Sequence, residues 1–215
     1  MSFVRLMCAA IVGGLVVFMW GFVSHEFLGV AWMAFGTMEN EEAVVQAVGT
    51  AVQDGERQAF LFPGIMKKGA TPEELEAAYA VWEKGPRGML VVDATPMTNS
   101  FPKLMATEFG VGVVAALIAS IVAAGVRGGY AGRVATVALL GVFAWMAVDA
   151  SYWNWYRFPD GFAMAGLIDQ GVGWLLAAFP IAAIARPRRT CGCGPGCGCG
   201  PECGCGPGCE CGKKA

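Results

Sequence analysis

The chain has 215 residues, 56% of them hydrophobic and 15% charged, with mean hydropathy +0.53 and a formal net charge of −2. Soluble domains carry about 25% charged residues, so this composition excludes an ordinary water-soluble domain. The small net charge hides a segregation: residues 24–103 hold eleven acids and six bases, a balance of −5, and the rest of the chain is net basic.

Four apolar runs organise the sequence: Val4 to Val23, Leu104 to Val126, Val134 to Ala150 and Phe162 to Ala185. Each is near the roughly 20 residues that cross about 30 Å of hydrocarbon at 1.5 Å per residue. The expected fold class is therefore an all-α integral membrane protein. It has four transmembrane helices, a small helical extramembrane insertion and a disordered Cys-rich tail. The expected division is helix 1 over 1–24, an extracytoplasmic loop domain over 25–103, helices 2–4 over 104–186, and the tail over 187–215.

The first run has only Arg5 as a basic flank, is longer than a signal-peptide core, and leads directly into Ser24-His25-Glu26. It reads as an uncleaved helix. His25 is the sole histidine. With Glu26 it ends this helix and opens a set of polar groups expected near the outer face.

The acidic loop that follows is too long for a plain connector and should carry structure of its own. A helix is expected from about Glu41 to Val52, ending near Asp54-Gly55. Thr71-Pro72-Glu73-Glu74 predicts a capping box, with Pro72 at the first helical position. That helix should run to about Lys84 and stop at Gly85-Pro86, with Leu75, Ala78, Tyr79 and Trp82 along one face. The stripe reads first as packing on the loop's own core or on the bundle, and second as a lid or docking face. Met89 to Val92 reads as a short strand without an evident partner.

Glu108 lies about a turn into the second run, and Asp149 near the outer end of the third. Asp169 and Gln170 fall about 10 Å into the fourth. Ionisable groups at such depth are costly and mark functional candidates. Glu26, Glu108 and Asp149 read first as carboxylates at the wet interface, where a charge costs little. Asp169 is the exception and needs a partner, water or a retained proton; His25, Arg157, Asn154 and Tyr156 are the candidate partners. One histidine among carboxylates could ligate a divalent metal, handle protons or bind a small ligand; the spacing matches no established metal pattern.

Small residues one turn apart, Gly112/Ala116, Ala115/Ala119 and Gly173/Ala177, allow close helix approach. Pro180 predicts a kink or early weakening in the last run. The turn Ser151 to Gly161 is rich in Trp and Tyr, as expected of an interfacial belt. Arg5, Arg127, Arg133, Arg186, Arg188 and Arg189 fall on one side of a four-crossing chain. The positive-inside bias then places both termini in the cytoplasm, with a bacterial inner membrane as the expected setting.

The tail is built on four units of the type Cys-Gly-Cys-Gly-Pro-Gly and holds eight of the nine cysteines. They are Cys191, Cys193, Cys197, Cys199, Cys203, Cys205, Cys209 and Cys211. Reduced thiolates in pairs suit zinc or copper(I). In composition the tail resembles a metallothionein over about 22 residues, without that family's usual Lys and Ser spacers. The second reading is a low-complexity tail with incidental thiol chemistry.

No complete catalytic motif is present. The leading expectation is a non-enzymatic multi-pass membrane protein with a structural, sensory or accessory role. The rivals are a small metal-handling transporter or metal sensor and, third, a membrane enzyme using His25 and the carboxylates. The expected partners are the lipid bilayer and a homo-oligomer or membrane complex, with no nucleic acid.

Overall fold

The structure is a computed structural model that describes residues 2–52, 57–64, 68–93, 100–126 and 128–186. Four helices are long and apolar enough to cross a membrane. They are α1 (Phe3–Glu26), α5 (Phe101–Gly125), α6 (Tyr130–Ala147) continued by α7 (Asp149–Trp155), and α8 (Asp160–Ile184). Between α1 and α5 come α2 (Val30–Ala34), α3 (Glu41–Ala51), β1 (Gln58–Phe62), α4 (Pro72–Lys84) and β2 (Gly88–Val92).

The α1–α8, α1–α5 and α6–α8 pairs run antiparallel. Along α1 and α8, Gly13 meets Ile181, Trp20 meets Gly173 and Ser24 meets Asp169. Along α1 and α5, Gly14 meets Val113 and Phe18 stacks edge-on with Phe109. On α6 and α8, Arg133 meets Ala182, Gly141 meets Gln170 and Trp145 meets Ala163. Two ends of the bundle follow. One carries Arg5, Arg133 and Arg186; the other carries the insertion, α7 and the polar groups of the candidate site.

The core is made of small side chains. Ala9, Ala116, Ala119, Ala123, Ala177, Ala178 and Ala185 are buried together with Val137, Trp174 and Ile181. The large apolar residues point outward: Leu15 and Met19 on α1, Ile118 and Ile121 on α5, Leu139 and Phe143 on α6, Phe179 on α8. In water this surface would be a severe aggregation liability. Packing through small residues with bulky chains outside is the arrangement expected of helices in lipid. The Gly112/Ala116, Ala115/Ala119 and Gly173/Ala177 pairs sit in or beside these contacts. Their main counterpart, the Gly13-Gly14 pair on α1, was not anticipated; a Cβ on Gly14 would lie 2.7 Å from Val113 backbone atoms.

Several expectations need correction. The described chain is mostly helical but not all-α, because β1 and β2 form a two-stranded antiparallel sheet with Phe60 opposite Leu90. This gives the Met89–Val92 segment its partner. The aromatic turn is mostly helix: α7 extends to Trp155, leaving Tyr156 to Pro159 as the connection. Pro180 lies inside α8, as its position in the last run implied, and the helix continues past it to Ile184. The buried Ala177, Ala178, Ile181 and Ala182 surround that turn and hold it by packing.

Arg133 is not simply an interfacial charge. It is 8% exposed, and its Nε donates to the Ala182 carbonyl at 3.0 Å, among the orphan carbonyls that end α8. In the insertion, the Thr71 hydroxyl accepts from the Glu74 amide at 3.2 Å and the Glu74 carboxylate accepts from the Thr71 amide at 3.0 Å, completing the expected box. Yet α3 and α4 contain no buried residue, and Leu75 and Tyr79 are exposed. The α4 stripe therefore does not close a core among the described residues.

Candidate functional site

The last turn of α1 places Ser24 and His25 against the first half of α8. Ser24 is fully buried, and its hydroxyl donates to Asp169 Oδ1 at 2.6 Å. The Gly21 carbonyl, 3.1 Å away, is that hydroxyl's alternative acceptor. His25 Nε2 lies 2.7 Å from Asp169 Oδ2. Each oxygen of the carboxylate thus has a partner, which answers the desolvation that its position imposes. His25 was among the partners expected for Asp169; Arg157, Asn154 and Tyr156 are not bonded to it among the described residues. Ser24 was missed.

A cleft of about 640 Å³ opens beside this pair, between α1, α5 and α8. Its polar lining is His25, Glu26, Glu108, Asp169 and Gln170, so five of the seven expected site residues meet in one place. Two of its lining residues are helix ends: Glu26 closes α1 and Phe101 opens α5. Glu108 is seven residues from Phe101, about 10 Å further along α5, near the level of the Phe18–Phe109 pair. The Gln170 side chain is engaged, accepting from the Trp174 indole at 3.0 Å. Trp20 also lines the cleft; its Nε1 is buried and has no acceptor among the described residues.

The remaining two expected residues lie apart. Asp149 is the first residue of α7 and reaches α8 at Gly166, three positions before Asp169; a Cβ on Gly166 would lie 2.8 Å from its Oδ1. Asn154 lines a smaller hollow of about 290 Å³ with Trp153, Arg157 and Asp160, where the Trp153 indole donates to Asp160 at 2.7 Å.

Among the described residues, no group of three His, Cys, Asp or Glu side chains is placed to hold a metal ion. The eight tail cysteines lie outside the described residues. No family model, no curated protein and no solved structure matches the chain.

The arrangement is not that of a nucleophile with its base. The Asp169 carboxylate stands between the Ser24 hydroxyl and the His25 imidazole, each bonded to a different oxygen. Nucleophilic catalysis needs the base on the hydroxyl. What the arrangement provides is a fixed, acid-lined recess with aromatic walls, held by a bond network that ties α1 to α8.

Proposed function

We propose that this chain is an integral membrane protein with a non-enzymatic, sensory or accessory role, and that its input is a small molecule taken up in the α1–α5–α8 cleft. The observation that supports this is the cleft itself, which gathers Asp169, His25, Glu26 and Glu108 beside aromatic rings. Sites for small molecules are concave, mostly apolar and carry a few convergent polar groups. The volume of about 640 Å³ falls in the usual range of roughly 300–1,000 Å³.

In this reading the four long helices are inserted in the bilayer. Arg5, Arg133 and Arg186 are at the cytoplasmic end, both termini are inside, and the cleft opens outward, in a bacterial inner membrane. The contact α1 makes with α8 through Asp169 gives an occupant of the cleft a route to the helix packing. The tail thiols are a proposed zinc or copper(I) module on the opposite face.

Thiol labelling in intact cells tests the reading. Met105 lines the cleft, and Glu73 lies in the insertion on α4. With the native cysteines replaced by serine, Met105→Cys and Glu73→Cys should both react with a membrane-impermeant maleimide added outside. In the native chain the tail cysteines should react only after permeabilisation. An unreactive Met105→Cys removes the open cleft, and external labelling of the tail reverses the orientation.

A further inference from the structure

We propose that the cleft binds an organic ammonium ion carrying an apolar body, with Glu108 as its counter-ion. The inference rests on the outward-open cleft proposed above and adds the chemistry of its occupant.

Charge is the first argument. Among the described residues, Glu26, Glu108 and Asp169 face the cleft, His25 is the only basic lining residue, and no lysine or arginine lines it. Asp169 is already engaged by Ser24 and His25. Glu108 is exposed in the cleft and makes no hydrogen bond or ion pair with any described residue. It nonetheless sits about two turns below Phe101, inside a helix of membrane-spanning length. A free carboxylate at that depth is costly and calls for a cation.

The walls decide which cation. Phe18, Trp20, Phe22 and Phe101 line the same recess. Aromatic faces attract ammonium groups through the ring quadrupole, and most strongly where water is excluded. A divalent metal is disfavoured, because it needs several oxygen or nitrogen ligands converging on one point. No such convergence exists among the described residues. A large, weakly hydrated ammonium needs only one carboxylate and an aromatic enclosure. The cleft runs from Glu26 to Val17 along α1, about 14 Å at 1.5 Å per residue, which leaves apolar length for the remainder of the molecule. The same chemistry could come from a soluble amine or from the headgroup of an aminophospholipid.

The test uses the full chain, bearing Met105→Cys as reporter in the cysteine-free background, in nanodiscs of phosphatidylglycerol, which has no ammonium group. Benzyltrimethylammonium should protect the thiol from maleimide about tenfold more effectively than its neutral isostere neopentylbenzene. Glu108→Gln should remove that difference, and Glu41→Gln should retain it; both variants keep the disc's surface charge, so concentration of the cation at the membrane cancels. Repeating the comparison of the native residue with Glu108→Gln in phosphatidylethanolamine identifies the source, because the altered surface charge acts equally on both chains. A smaller Glu108-dependent difference there assigns the site to the lipid headgroup, and an undiminished one assigns it to a soluble amine. Equal protection by cation and isostere, or full protection in Glu108→Gln, overturns the proposal. A reporter that never reacts defeats the open cleft instead, so the two failures are distinct.

Discussion

Gly173 on α8 leaves open the space that the Trp20 indole on α1 fills: a Cβ at that glycine would stand 2.9 Å from Trp20 Cδ1. Four residues further along α1 is Ser24, and four residues back along α8 is its partner Asp169. Both helices advance about one turn over four residues, so the steric contact and the polar contact form successive rungs of one antiparallel ladder. The Trp20 rung sets the distance between the helices at which the Ser24 hydroxyl reaches the carboxylate.

The glycine contacts predict a graded response. Gly14→Ala pushes a methyl group into the α5 backbone at Val113, which cannot move aside as a side chain can. It should destabilise the bundle by about 1–3 kcal/mol. Gly173→Ala meets the Trp20 ring and should cost less than Gly14→Ala while loosening the Ser24–Asp169 bond. Gly110→Ala meets nothing within 4 Å and should be neutral or stabilising by up to about 1 kcal/mol, from helix propensity. Reversible unfolding in mixed micelles gives the three values. A Gly14→Ala protein as stable as Gly110→Ala would mean that α1 and α5 are further apart than described.

Arg133 should matter through geometry and not only through charge. Its Nε caps the Ala182 carbonyl, and a terminal nitrogen lies 3.4 Å from the Gly128 carbonyl. Arg133→Leu should cost about 1–2 kcal/mol, the upper range for a cation at a partly buried helix C-terminus. Arg133→Lys keeps the charge on which the proposed orientation rests but loses the guanidinium fork. It should recover topology fully and stability only in part. Full recovery of stability by lysine would leave the charge alone as the cause.

The insertion offers a pH-dependent element. The Glu73 backbone amide and, second, the Thr71 hydroxyl hold the exposed Glu73 carboxyl below its usual range. A lowered folded-state pKa stabilises α4 at pH values above the unfolded value of about 4.3. That contribution disappears as pH falls through the folded value. Thr71→Ala should move the Glu73 midpoint upward toward the ordinary value, seen by carboxyl NMR, and cost helix α4 about 1 kcal/mol of capping. An unchanged midpoint would separate Glu73 from the cap.

The reach of the sequence follows from the range of each interaction. The four long apolar helices and the Thr71–Glu74 box depend on residues close in the chain, and both were legible. Asp169 stood out because a carboxylate in an apolar run is conspicuous. Its buried partner Ser24 did not, because a serine near a helix end has many innocent uses and the pairing depends on the rotation of two helices 145 positions apart. Arg133 carried the right signal for the end of the bundle it shares with Arg5 and Arg186 and a misleading one for burial, since its acceptor is a backbone carbonyl with no side-chain signature. The strand Gly88–Val92 lacked a visible partner because Gln58–Phe62 reads as an ordinary apolar loop segment until α4 brings the two together. The cleft was half legible: its carboxylates were apparent, while Phe18, Trp20, Phe22 and Phe101 carry no signal in the sequence that sets them apart from the other aromatic residues of the apolar runs.

The tail should behave as a separable metal module. Its eight cysteines form four Cys-x-Cys pairs, and it contains no large apolar residue to dock on the bundle. The helix packing that holds the described bundle ends with the buried Ala185. Removing residues 190–215 should therefore leave thermal stability of the membrane part within about 0.5 kcal/mol, as for a surface change. Eight thiolates at four per ion provide for about two zinc ions. Elemental analysis of the full chain purified under reducing conditions should find them, and the truncated chain should have none. Thiols must lose protons to ligate, so retention should fall steadily as pH drops below neutral. A full chain whose tail sequence is scrambled at equal cysteine count is the decisive control. If it holds as much zinc, with the same affinity and pH profile, the pairing of cysteines contributes nothing and the metal-module reading fails.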